Sequence, residues 1–324
     1  MARFRFFARC SALGVGALAT ACLPGDTRPV PGSLDVSVVA SAALATRAHS
    51  FVTTDGWTVS YSRFLIGIGN ASFDGDSCAD YYDADYDRLL NLLVPDSQKL
   101  GLLYGLGQCD FGFRVSAPSA TSVLGAGVTE ADRALLGAPG TDAYSTNRGT
   151  DLYVSGTATN GAATKTFTWS FRQRVSYSQC VGPPRLAVGK IDALPADAAR
   201  EGDGGLPGAR GFDLKGHAAL ATELTVHGEA LFLDRADPVR GVLRFDPIAQ
   251  ADDGFGNHDG DVALAELGQE PLPAAETNAN GDYTEPGDGG IATWKTLEDF
   301  VYLGLVPIVV RFEDGGTCET RGRR

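Results

Sequence analysis

The chain has 324 residues, of which 44% are hydrophobic and 21% are charged, and this balance excludes a disordered or fibrous protein. Asp and Glu outnumber Lys and Arg by 40 to 27, so the net charge argues against nucleic acid and anionic lipid headgroups as electrostatic partners. The 41 glycines favour many turns, and therefore a strand-rich fold with long loops.

The N-terminus has the order of a secretory signal. Basic residues precede a short apolar stretch from Cys10 to Ala19, which is too short to span a bilayer. Ala19, Thr20 and Ala21 then precede Cys22, and this arrangement resembles a bacterial lipoprotein precursor, although Ala19 stands where Leu is usual. The resemblance implies cleavage after Ala21 and acylation of Cys22. The alternative is an ordinary signal peptide that leaves Cys22 as a free thiol.

This interpretation predicts a signal peptide over residues 1–21, a tether over 22–32 and a folded domain over 33–324. Cleavage removes three arginines and no acidic residue, so the formal net charge changes from −13 to −16. The expected partner is a membrane, reached through the lipid on Cys22. In related lipoproteins an Asp after the cysteine can favour the inner membrane, whereas Leu23 stands here, so the outer membrane or the cell surface is favoured.

Four cysteines remain in the mature chain besides Cys22. An even number in an oxidising compartment predicts two disulfide bonds, and the absence of a Cys-x-x-Cys pair disfavours a redox or zinc-ribbon role. Three connectivities are open. We favour Cys78–Cys109 and Cys180–Cys318, since each cysteine lies beside a predicted strand or an acidic loop.

Alternation of apolar and polar residues dominates the domain and predicts an antiparallel β-sandwich with short peripheral helices and long Gly/Asp-rich loops. The phase of the alternation slips between Tyr61 and Phe64, as a β-bulge would produce. The Asn160-Gly161 pair predicts a hairpin turn. The predicted strands cover residues 33–39, 57–68, 111–115, 151–159, 165–177, 220–226 and 308–312.

Two capping boxes predict short helices, one opening at Thr129 with Asp132 and one opening at Thr296 with Asp299. Residues 195–211 and 273–290 are rich in Gly, Pro, Asp and Ala, which is typical of loops. One β-sandwich with loop excursions is expected. The alternative is a second small domain that begins near residue 212.

Residues 246–270 are predicted to form an inserted helix–loop–helix, which Asp246 and Pro247 open. From Asn257 onward the loop resembles the calcium loop of an EF-hand, with Asn257 and Asp259 at alternating positions, Gly260 at the sharp turn and Glu266 at the closing position. The resemblance implies one Ca²⁺, with the carbonyl of Asp261 as a further ligand. Strict counting places Phe255 at the first position, so Asp253 could bind only across a two-residue insertion. The set of expected ligands is Asp253, Asn257, Asp259, Asp261 and Glu266. The alternative is an acidic, solvated loop.

A second acidic cluster interleaves carboxylates with tyrosines between Asp74 and Asp87. It could hold a cation or a sugar, but a surface loop fixed by a disulfide is favoured. The linear sequence contains no zinc-protease, nucleophile-elbow, phosphate-loop or dinucleotide motif, so no catalytic residue is predicted and a non-enzymatic role is favoured. The expected function is an envelope-anchored module that binds or scaffolds a protein or glycan ligand. The alternatives are a secreted carbohydrate-active hydrolase and an envelope carrier of a metal or small ligand.

Overall fold

The computed structural model describes residues 29–81, 87–183, 211–272 and 294–322. Within these ranges the protein is mainly β, as the alternation predicted, with few and short helices. In chain order the strands are β1 (Gly32–Ala40), β2 (Ser50–Val52), β3 (Thr58–Asp74), β4 (Cys78–Asp80), β5 (Asp87–Asn91), β6 (Gln98–Val115), β7 (Val123–Leu124), β8 (Gly140–Thr141), β9 (Thr146–Arg148), β10 (Leu152–Asn160), β11 (Ala163–Phe171), β12 (Val175–Val181), β13 (Phe212–Leu214), β14 (Ala219–Val226), β15 (Asp261–Val262), β16 (Val310–Phe312) and β17 (Thr317–Gly322). The α-helices are α1 (Glu130–Gly137), α2 (Asp246–Gln250), α3 (Leu264–Leu267) and α4 (Leu297–Asp299).

One large curled sheet contains all described strands except β8 and β9, which pair with each other. Its central path runs β15-β11-β10-β3-β6-β1-β14-β16. Most neighbours are antiparallel, but three pairs are parallel: β1 with β14, β11 with β15 and β5 with β7. The apolar faces of these strands enclose one main core, in which Phe64, Phe111 and Trp169 are fully buried.

The two long strands bend where their pairing is irregular. On β3 the register with β10 skips Ser62, so Tyr61 and Phe64 both face the core, and the predicted bulge is confirmed. β6 pairs with β1 along its first half and with β3 along its second half. Between the halves, Gly107 has φ +101° and lies against the backbone of Ser77, where a Cβ would be only 2.0 Å from the Ser77 carbonyl oxygen. Only glycine can occupy this corner without displacing the neighbouring chain.

The predicted hairpin is present as β10 and β11, joined by a turn in which Gly161 has positive φ. The second strand is shorter than predicted, because the chain turns after Phe171 and resumes as β12. Arg174 there has φ +52° and donates its backbone N–H to the buried carboxylate of Asp151 instead of to a strand. The last core strand also starts later than predicted, at Val310, because Val306–Ile308 forms a 3₁₀ turn around Pro307.

Both favoured disulfide bonds are present. Cys78–Cys109 joins β4 to β6, and Cys180–Cys318 joins β12 to β17. The second bond closes a span of 138 residues, compared with 31 for the first. Both bonds therefore lie next to the long strand β6, which pairs with β4 and with β12. The first bond links β6 itself to β4, and the second links β12 to β17.

Both predicted capping boxes are confirmed, at Thr129 with Asp132 before α1 and at Thr296 with Asp299 before α4. α4 ends at Asp299, and Phe300–Leu305 continues the chain as a π-helical segment. Among the described residues, no helix is long and apolar enough to cross a membrane. The predicted loops at 195–211 and 273–290 lie almost wholly outside the described ranges.

Candidate functional site

The acidic segment, residues 246–272, is the region in which the sequence placed a metal site. It begins with α2, whose first turn contains Pro247 as predicted, although Phe245 and not Asp246 is the N-cap. A π-helical turn, Ala251–Phe255, follows directly. The chain then reverses through Gly260, which has φ +84°, into β15 and α3. The acidic segment is therefore a series of single turns. Contacts with the neighbouring sheet determine where these turns lie.

Strand β11 provides the surface on which the acidic segment packs. Val262 is fully buried and pairs in parallel with Phe167. The indole N–H of Trp169 donates to the carbonyl of Val262 at 2.8 Å. At the solvent side, the hydroxyl of Thr166 donates to the carboxylate of Asp261 at 2.6 Å. These contacts fix the second half of the segment to the edge of the sheet.

Lys165, also on β11, supplies a positive charge to the first half of the acidic segment. Its ammonium lies 2.6 Å from Asp252 Oδ2 and 2.6 Å from Asp253 Oδ1. The Asp252 side chain has no exposed surface and that of Lys165 is 9% exposed, so this is a buried ion pair. The backbone N–H of Gly260 also donates to Asp252, at 3.0 Å. The ion pair therefore connects β11 with the π-helical turn, and Asp252 also connects that turn with the turn at Gly260.

The pKa directions of Lys165 and Asp252 agree with this pairing. Burial acts to lower the pKa of the Lys165 ammonium, but the hydrogen bonds and charges of the two aspartates outweigh it and raise that pKa. Burial likewise acts to raise the pKa of Asp252, but Lys165 and the N–H of Gly260 outweigh it and lower that pKa. Both groups are therefore charged at neutral pH.

Four of the five expected calcium ligands, Asp253, Asn257, Asp259 and Glu266, accept N–H groups of the protein. One carboxylate oxygen of Glu266 accepts the backbone N–H of Asn257 at 3.1 Å, and the other accepts that of Ala263 at 2.9 Å. Asp259 accepts the side-chain amide of Asn257 and the backbone N–H of Asp261. Asp253 holds Lys165, as described above. In this arrangement the oxygens do not converge as an oxygen shell for calcium would.

Within the described ranges, no three His, Cys, Asp or Glu side chains are grouped as ligands for one metal ion. In their present arrangement these side chains do not form a site for calcium. Calcium binding therefore stays a prediction from the sequence. The residues that sequence reasoning missed are Lys165 and Asp252. A signal for Lys165 was present, because it has the same parity on its strand as the buried Phe167, Trp169 and Phe171. A lysine on an apolar face needs a carboxylate partner.

A pocket of about 520 Å³ opens between the acidic segment and the residues around α4, and we refer to it as the acidic pocket. Its lining combines carboxylates with apolar surface. The lining residues are Trp57, Asp246, Pro247, Ala249, Gln250, Asp253, Glu270, Leu272 and Leu297.

The three carboxylates of the acidic pocket have different environments. Asp246 accepts the indole N–H of Trp57 at 2.7 Å, and Asp253 accepts Lys165. Glu270 has a buried Oε2 atom with no hydrogen-bond partner among the residues that the structure describes. Burial raises the pKa of Glu270 to about 7. Glu270 is therefore the carboxylate that still lacks a donor.

The second acidic cluster is divided among different elements. Asp74 and Asp76 line a polar cleft with Arg114 and Arg321. Asp87 lies on β5 and accepts the hydroxyl of Ser122 at 2.5 Å. The remaining members lie on β4 or near it (Asp80, Tyr81) or outside the described residues (Tyr82, Asp83, Asp85, Tyr86).

Comparisons of the chain with protein-family models, with curated proteins and with solved structures found no match in any of the three.

Proposed function

We propose that the mature chain is a lipid-anchored envelope protein whose disulfide-bonded β domain is a ligand-binding module. The observation that carries this proposal is the pairing of the cysteines. Two disulfide bonds engage four of the six cysteines, so the bonds leave only Cys10 and Cys22. Cys10 lies inside the predicted signal peptide. Cys22 is then the only cysteine of the mature chain outside these bonds, as lipidation requires.

The position of Cys22 relative to the domain supports an anchor. The first strand begins at Gly32, ten residues after Cys22. A tether of this length can extend over at most about 35 Å, which is enough to hold the domain clear of the lipid headgroups. Two or more acyl chains on Cys22 would give firm attachment, since one chain binds only marginally. The outer membrane or the cell surface is the proposed location.

The architecture that we propose for the domain is a β-sandwich. β6 supports this proposal, because one half of the strand pairs with β1 and the other half with β3 across the corner at Gly107. Residues of both parts contribute to the same core. We also propose that residues 33–324 form one domain, since β13 and β14, which follow the alternative boundary, pair with β6 and β1.

The acidic pocket supports binding better than catalysis. Two carboxylates of the second acidic cluster, Asp74 and Asp76, share a polar cleft with Arg114 and Arg321, so a hydrolase at residues 74–87 stays the alternative to a binding module. An envelope carrier of a small ligand would use the acidic pocket in the same way as a fixed binding module. Calcium binding at Glu266 stays a separate prediction, and the proposed function does not depend on it.

Lipidation is tested with radiolabelled palmitate in bacterial cells that express the full chain. We expect the wild type to incorporate label and to fractionate with membranes, and Cys22→Ser to lose both properties. Cys10→Ser is the matched control, because it removes the other cysteine outside the disulfide bonds and should leave label and attachment unchanged. Label and membrane attachment that survive in Cys22→Ser would reject the anchor.

A further inference from the structure

We propose that the acidic pocket binds an aliphatic primary ammonium compound, with the ammonium group on the carboxylate of Glu270 and the carbon chain on the apolar lining. This proposal deepens the binding role proposed above by naming the class of ligand. It depends on the charge of the pocket, on its apolar surface and on the net charge of the protein.

The charge of the pocket is negative and incompletely compensated. Among the residues that the structure describes, its lining contains Asp246, Asp253 and Glu270 and no Lys, Arg or His. Trp57 donates to Asp246, and Lys165 donates to Asp253, whereas the buried Oε2 of Glu270 has no donor among the described residues. A buried acceptor without a partner costs free energy, and a turn of the Glu270 carboxylate that brings this oxygen to a donor inside the pocket would recover that cost. A primary ammonium supplies three N–H donors and a positive charge.

The apolar surface distinguishes an organic cation from a metal ion. Leu272, Leu297 and the largely buried ring of Trp57 lie on the same pocket as Glu270. A hard cation such as calcium prefers a shell of oxygens and gains nothing from leucine side chains. The volume of about 520 Å³ lies within the usual range for small-molecule sites and far exceeds that of a single ion. An ammonium group on an alkyl chain matches both parts of the lining.

The charge of the protein as a whole favours a cationic ligand. The net charge of −13, which becomes −16 after the predicted cleavage, raises the local concentration of cations near the pocket.

The test is isothermal titration calorimetry on the purified, lipidated protein in detergent. The probe is 1,5-diaminopentane, and 1,5-pentanediol, which has the same carbon chain without charge, is the matched control. We expect the diamine to bind at one site and the diol to bind at least about tenfold more weakly. Glu270→Gln should weaken the diamine about tenfold. Asp96→Asn removes an exposed charge outside the pocket lining and should leave the affinity unchanged.

Equal binding of diamine and diol would overturn the proposal, as would a Glu270→Gln variant that folds and binds the diamine like the wild type. Displacement of the diamine by one equivalent of calcium would also overturn it, in favour of a metal site. Folding of each variant is checked by its melting temperature and circular dichroism. If the diamine does not bind but palmitate labelling is intact, the ligand assignment alone is rejected. If the diamine binds but palmitate labelling is absent, the anchor alone is rejected.

Discussion

The hairpin of β10 and β11 and the acidic segment lie against each other, but different forces hold them. On the hairpin, Phe167, Trp169 and Phe171 are fully buried, and the strands pair residue by residue from Leu152↔Phe171 to the turn. The acidic segment has only two residues in a strand, and most of its described hydrogen bonds join a carboxylate or amide oxygen to an N–H or ammonium group. The hairpin therefore depends on apolar burial, and the segment depends on charge and on the hairpin.

This difference explains which parts of the structure could be predicted from the sequence. Period-two alternation places apolar side chains on one face without knowledge of any other segment, so the hairpin and the bulge between Tyr61 and Phe64 were predictable. Capping boxes are equally local. The pairing of Lys165 with Asp252 spans 87 residues and depends on the packing of β15 against β11. The acidic pocket brings Trp57 and Leu297 together with the segment, and no local pattern predicts that contact.

The largest expected effect is the loss of the buried indole at the contact between the two regions. Trp169→Ala should lower the free energy of unfolding by about 3–5 kcal/mol, because it leaves a cavity in the aromatic core and frees the carbonyl of Val262. Chemical denaturation measures this loss. Trp169→Phe keeps most of the apolar area and should cost markedly less. A Trp169→Ala variant as stable as Trp169→Phe would show that the buried ring does not stabilise the fold.

Removal of the buried ammonium should have an effect of similar or slightly smaller size. Lys165→Met leaves the carboxylate of Asp252 buried without its cation, which costs about 3–5 kcal/mol of unfolding free energy. The double variant Lys165→Met with Asp252→Asn should recover part of this loss. Lys99→Met is the control, since Lys99 pairs with Asp35 where both are about half exposed, and it should cost less than about 1 kcal/mol. Equal losses for Lys165→Met and Lys99→Met would contradict the buried pair.

A smaller effect concerns the pH dependence of stability, to which one carboxylate in each region contributes. Burial raises the pKa of Asp151, at the start of the hairpin, to about 7, although N–H groups and arginines nearby oppose the shift. The pKa of Glu270, near the end of the acidic segment, is also raised by burial to about 7. Between about pH 4 and pH 7 the folded state keeps protons that the unfolded state has released. Stability should therefore fall as pH rises through this window, by at most about 1.4 kcal/mol per pH unit for each group.

Melting curves between pH 4 and pH 8 measure this slope. Asp151→Asn and Glu270→Gln should each flatten it, because neither replacement can release a proton. Asp259→Asn, at an exposed position, serves as the control and should keep the wild-type slope. Variants at 151 and 270 that both retain the full slope would place the titration elsewhere in the molecule.

Two accounts of the charge balance in the acidic segment compete: the sequence predicts a calcium ion, and the structure pairs Lys165 of the hairpin with Asp252 and Asp253. The central claim is the second account. The most direct measurement compares the melting temperature of the wild type in excess calcium and in EDTA. The account predicts the same temperature in both, because both oxygens of Glu266 already accept backbone N–H groups and Asp253 already holds Lys165. A calcium ion that bound only the folded state would stabilise it by about 2.7 kcal/mol at a hundredfold excess over Kd. A rise in melting temperature with calcium that Glu266→Gln abolishes would contradict the account and would establish the calcium loop that the sequence resembles.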